Sequence, residues 1–94
     1  MKKLEFILPK RHLITAGDAL LQAGAPGYST IELVGGHGAK MGRNSNMDWI
    51  DGANVCVFVW CEEAQVESIV EAMRPLVDAR TGIGFISDAR KVLG

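Results

Sequence analysis

Residues 54–60, Asn-Val-Cys-Val-Phe-Val-Trp, are apolar on both of the faces that a β-strand presents in alternation. Val55, Val57 and Val59 fall on one side; Cys56, Phe58 and Trp60 fall on the other. A strand with one wet face alternates apolar with polar residues, so this one has to be covered twice. At 94 residues and 48% hydrophobic content the chain suits one compact domain. A domain this small withdraws only about 60–65% of its unfolded surface from water. A helical layer is therefore expected on one face of the strand, and another subunit or element on the other.

The remaining elements fall around that strand. Lys3 to Leu8 alternates Leu4, Phe6 and Leu8 with Lys3, Glu5 and Ile7, a half-buried strand stopped at Pro9. His12 to Ala23 brings Leu13, Ala16, Leu20 and Ala23 onto one helical face, with Gly24 placed to end the helix in the left-handed conformation. Gly17 on that face costs about 1 kcal/mol against Ala unless it permits close helix–sheet approach. Ala25-Pro26-Gly27 is a turn, and Tyr28 to Val34 a second strand. Residues 35–52 have almost no hydrophobic pattern and read as an irregular loop. Glu62 to Arg74 is a second helix with Val66, Ile69, Val70 and Met73 inward, closed or kinked by Pro75. Gly82 to Ser87 is a last strand, after which Asp88 is expected to cap a short turn over residues 89–92. The order βαββαβ predicts an α+β, ferredoxin-like fold: a four-stranded antiparallel sheet with both helices on one face.

Charge and composition exclude several functions. The net charge is -1 and basic residues are scattered, which leaves no electrostatic footprint for DNA or RNA. No apolar run approaches the ~20 residues of a membrane span, and the first residues lack the apolar core of a signal peptide. A cytoplasmic protein is expected. Cys56 and Cys61 point to opposite faces of one strand, so they neither pair nor form a metal site. No GxxxxGK[ST] element is present, and no nucleophile–base set falls in one cleft.

The chemistry-bearing stretch is Gly35-Gly36-His37-Gly38-Ala39-Lys40, directly after the second strand. Residues without a Cβ approach a ligand closely and can turn backbone N–H groups toward an anion, with Lys40 and Arg43 supplying positive charge. The commoner use of such glycines is a plain turn. His37 is either a solvated loop residue, a titrating switch or a ligand. Met41, Met47 and Trp49 put apolar groups on a polar loop, as suits a segment that orders on a partner; the alternative tucks Trp49 against the following strand.

Three stretches in register resemble the PII signal-transduction superfamily: Met1-Lys2-Lys3-Leu4-Glu5-Phe6-Ile7 with Gly27-Tyr28-Ser29-Thr30-Ile31-Glu32; then Gly35-Gly36-His37-Gly38; then residues 62–72 with Arg80-Thr81-Gly82-Ile83-Gly84-Phe85-Ile86-Ser87. The resemblance implies one PII-like domain over residues 1–94, a homotrimer, and an adenine nucleotide in each cleft between subunits. It places a T-loop at about residues 36–52, with Gly35, Gly36, His37, Gly38 and Lys40 near ribose and phosphates. Ser29 and Thr30 then lie on the strand that receives the base, and Arg80, Thr81 and Gly82 match the phosphate-binding B-loop. Arg43, Met47 and Trp49 fall on the part of the loop that meets a target.

The departures are informative. His37 adds a residue to the glycine motif, and the loop holds no tyrosine, so uridylylation there is not expected. The usual B-loop lysine aligns with Ile83, and Gly94 falls before the position of the arginine pair that usually grips the outer phosphates in that family. Each missing cation removes a contact of about 1.5–3 kcal/mol, so ADP or AMP is expected to compete well with ATP. Chains of this kind resemble PII-like proteins encoded beside carboxysome genes and bicarbonate transporters. That likeness implies a bicarbonate anion near the phosphates and a membrane bicarbonate transporter as target. Two other readings share the architecture. A trimeric cation-tolerance-type protein would use His37 with Asp48 or Asp51 as metal ligands, and an amino-acid-binding ACT-type domain would dimerise beside an enzyme.

Overall fold

The computed structural model describes residues 1–33, 54–78 and 82–94 in full, and residues 35–38 and 42–45 by their backbone. The principal sheet has four strands, β1 (Lys2–Pro9), β2 (Ser29–Glu32), β5 (Asn54–Cys61) and β6 (Ile83–Asp88). Their order is β2-β5-β1-β6, with every pairing antiparallel. Helices α1 (Leu13–Gln22) and α2 (Glu63–Met73) cover one face, giving the expected ferredoxin-like arrangement. A second, two-stranded sheet pairs β3 (Gly35–Gly38) with β4 (Gly42–Ser45).

The core follows the alternation of the strands. Leu4, Phe6 and Leu8 of β1 and Val55, Val57, Val59 and Cys61 of β5 point at the helices. Ala16 and Leu20 of α1 and Ile69 and Met73 of α2 close over them. Glu62 precedes α2, and its N–H donates to Gln65 Oε1 at 2.8 Å, satisfying one of the donors a helix start leaves over. Gln65 Nε2 also donates to the Gly24 carbonyl at 2.9 Å, and Ser68 Oγ donates to the Ala23 carbonyl at 3.0 Å. The end of α1 is thereby tied to the side of α2. Gly24 adopts φ 94°, as its position after the helix suggested.

The other sheet face carries no layer of this chain among the described residues. Ile31, Trp60, Ile83 and Phe85 are 53%, 45%, 38% and 53% exposed there, so the described residues do not supply the second cover expected for β5. Lys3 lies over the rings of Phe58 and Trp60, 4.7 Å and 5.5 Å from their centroids, and pairs with Glu5 at 3.1 Å. Cys56 is buried on this face and Cys61 on the opposite one, both as free thiols.

Three expectations need correction. The stretch after the second strand is not irregular throughout: Gly35–Gly38 and Gly42–Ser45 form an antiparallel ladder. Backbone pairing needs no side-chain alternation, and glycine disfavours strands, so nothing in the pattern announced it. Pro9 does not stop β1 but closes it as the last paired residue, opposite Asn54. Asp88 caps no turn. β6 runs through it, register places it opposite Lys2, and the Lys2 ammonium takes its carboxylate. The residues after it, 89–94, form no helix.

Candidate functional site

Strand register brings the two loops singled out in the sequence to one end of the sheet. Pro9 pairs with Asn54, Glu32 with Val55, and Ile7 with Ile83. β1 and β2 therefore end, and β5 and β6 begin, at that end. β2 and β6 are the two edge strands, three strand spacings apart, or about 14 Å. One copy of the chain thus sets the start of its glycine-rich hairpin and the entry to β6 on opposite edges.

Ser29 and Thr30 open β2, and both are exposed. Ser29 lies opposite Phe58 and Thr30 opposite Val57, so the two fall on opposite faces of the edge strand. Gly35, Gly36, His37 and Gly38 make up β3, with His37 opposite Arg43 in β4. The ladder engages part of the amide supply that an anion would use. Lys40, Met41, Met47, Asp48, Trp49, Asp51, Arg80 and Thr81 lie outside the described residues. Gly82 is buried at the entry to β6, and the reason for a glycine is steric. A Cβ built there would lie 2.5 Å from the Ile7 carbonyl oxygen and 3.2 Å from Val77 Cγ1. Gly82 lets the chain come close against the edge of β1 as it enters β6.

Charge at this end is arranged by one contact that the sequence did not reveal. The Lys10 ammonium pairs with the Glu32 carboxylate, linking the turn after β1 to the end of β2. Glu32 is the last residue of β2, close before the glycine hairpin, so Lys10 offsets a negative charge that would repel an anion there. The two cysteines are not poised for chemistry. Burial raises both thiols above their ordinary value, with Glu5 adding to the effect at Cys56 and Glu62 and Glu63 at Cys61. Among the described residues no group of three or more His, Cys, Asp or Glu is placed to hold a metal ion.

A second residue escaped the sequence reading. Tyr28, one position before Ser29, rests its hydroxyl end on α1 at Gly17. A Cβ built on Gly17 would lie 2.3 Å from Tyr28 Oη and 2.8 Å from Cζ. The glycine inside α1 thus makes room for an aromatic side chain at the outer edge, not for the sheet beneath. Its position on the apolar face of a helix was the available signal.

Strand order, a helix pair on one face and a glycine-rich hairpin issuing from an edge strand define an α+β domain of the ferredoxin-like type. The family model for nitrogen regulatory protein P-II matches residues 1–93, and the chain belongs to that family. Solved structures of CPII, a nitrogen regulatory PII-like protein from Thiomonas intermedia K12, are similar over most of the chain. One, bound to ADP, AMP and bicarbonate, is 28% identical, covers 92% of this chain and 82% of its own, and superposes with a TM-score of 0.78. A second, bound to ADP and bicarbonate, is 30% identical over 92% and 82% of the two chains, with a TM-score of 0.77. A third, bound to ADP, AMP and acetate, is 32% identical over 90% and 81%, with a TM-score of 0.72. No curated protein matches the sequence.

Proposed function

We propose that this protein is a cytoplasmic, non-enzymatic PII-type signalling module, one domain over residues 1–94 acting as a homotrimer. It binds ADP or AMP in preference to ATP, with bicarbonate beside the phosphates, in clefts between subunits. The observation that carries this reading is the likeness, over about nine-tenths of the chain, to a protein solved with ADP, AMP and bicarbonate bound. The geometry of one copy supports the shared cleft. With the β2 end and the β6 entry about 14 Å apart on opposite edges, a neighbouring copy is the natural means of completing a site at either edge. The apolar sheet face left open by the helices supports the trimer.

In this reading Ser29 and Thr30 receive the base. Gly35, Gly36, His37, Gly38 and Lys40 surround ribose and phosphates, and Arg80, Thr81 and Gly82 grip the phosphates. The T-loop, about residues 36–52, changes its order with ligand, and Arg43, Met47 and Trp49 act on a target in inorganic-carbon transport. A ligand can bias the loop only by its differential affinity for the two loop states. Titration calorimetry with ATP, ADP and AMP, each with and without bicarbonate, tests the reading on protein of measured mass. ADP and AMP are expected to bind more tightly than ATP, and Lys40→Ala combined with Arg80→Ala to weaken ADP at least tenfold with the trimer intact. No heat with any adenylate, or unchanged affinity in the double variant, refutes the function or the site respectively.

A further inference from the structure

We propose that Tyr28 is the aromatic support for the purine ring of the bound nucleotide, held in place by Gly17; the inference rests on the adenylate-binding reading above. Three features meet at this residue. Gly17 is buried, and the absence of its Cβ admits the Tyr28 hydroxyl and Cζ to within a distance that any other side chain would deny. Tyr28 nevertheless remains 40% exposed, so the ring is anchored at one end and open elsewhere. The residue directly precedes Ser29 and Thr30 on an edge strand, where a ligand shared with a neighbouring copy has access.

The chain three residues before the ring is also tied down. Gln65 and Ser68 of α2 hold the carbonyls of Gly24 and Ala23, and the Ala25 N–H donates to the Leu20 carbonyl at 3.0 Å. An aromatic ring that is immobilised before the ligand arrives loses little freedom on binding, which is what a stacking platform requires. Every nucleobase offers a π-face, and stacking on an aromatic side chain contributes about 1–3 kcal/mol per base, or about 5- to 150-fold in affinity. Gly17 acts through Tyr28 and is a positioning residue.

The test is ADP calorimetry on the full chain carrying Tyr28→Phe, Tyr28→Leu or Gly17→Ala, with solution mass and melting temperature measured for each. Tyr28→Phe is expected to bind ADP within about twofold of wild type, and Tyr28→Leu to bind at least fivefold more weakly at the same mass. Gly17→Ala keeps the tyrosine but displaces its ring, and is expected to lose affinity in the same range. A packing role alone would lower the melting temperature of the Leu variant and leave its ADP affinity unchanged. That result, or equal losses for the Phe and Leu variants, overturns the proposal while sparing the adenylate reading. Absence of ADP binding by the wild-type chain overturns both. If Tyr28→Leu does not fold, Gly17→Ala decides: wild-type affinity in that variant is refuting.

Discussion

Replacing Phe85 with lysine should abolish self-association without unfolding the chain. Phe85 stands on the open sheet face, 53% exposed, with Glu5 opposite it in the neighbouring strand. Full burial of a phenylalanine side chain contributes about 1.5–3 kcal/mol, so about half, near 1 kcal/mol, remains to be gained when a second copy covers it. Three copies lose about 3 kcal/mol together. The larger effect is the ammonium: an ion carried into an apolar contact costs several kcal/mol unless it is paired. Glu5 already serves Lys3 at 3.1 Å, so the new lysine would share a partner. With about 3 kcal/mol for each of the three ions added, the total for the proposed trimer is about 12 kcal/mol, which raises the dissociation constant by about eight orders of magnitude. Within one copy the same lysine faces Glu5 across the ladder, a pairing worth a few tenths of a kcal/mol in its favour. Sedimentation analysis at micromolar concentration should give three times the 10.1 kDa chain mass for wild type and a single chain for Phe85→Lys, with unchanged far-ultraviolet circular dichroism. A variant that still sediments as the trimer, or a wild type that sediments as one chain, would show that this face is not the one that assembles.

Gly82→Ala should destabilise the fold by about 1–3 kcal/mol, because its methyl group meets backbone and not the yielding end of a side chain. Denaturant titration measures it, and a loss below about 0.5 kcal/mol would mean that β6 shifts freely at its entry. The Lys2–Asp88 pair gives a pH signature. Hydrogen bonding to Lys2 holds the Asp88 carboxyl below its ordinary 3.8, and the same bond holds Lys2 above its ordinary 10.5. The carboxylate contribution is present above pH 3.8 and fades as pH falls through the depressed value. The ammonium contribution is present below pH 10.5 and fades as pH rises through the raised one. Asp88→Asn should therefore lower the melting temperature slightly at pH 7, and that difference should shrink as pH falls below 3.8; a difference that did not change with pH would rule out an electrostatic origin.

The parts of this fold that were legible in the sequence are those set by burial. β5 announced itself because Val55, Val57 and Val59 meet the helices while Cys56, Phe58 and Trp60 meet the other side, and β1 and α2 followed from one-sided patterns. The β3–β4 hairpin was hidden because its ladder is a backbone property of residues that include Gly35, Gly36, Gly38 and Gly42. Asp88 was misassigned for a related reason. Its local neighbourhood suited a cap, and only strand register, a non-local quantity, set it against Lys2. The candidate site divides in the same way. Glycines, polar residues and their spacing marked the loops, but the Lys10–Glu32 pair and the seat of Tyr28 on Gly17 are tertiary contacts that no local pattern carries.

Gln65 spends both ends of one amide, accepting at the start of its own helix and donating to the tail of the other. With Ser68 beside it, the arrangement indexes α1 against α2 like a two-pin dowel. Sliding either helix along the other by even part of a turn would break both cross-helix bonds. The helical layer consequently holds one register along the helix axes. A displacement of α2 along the sheet would carry the end of α1 with it.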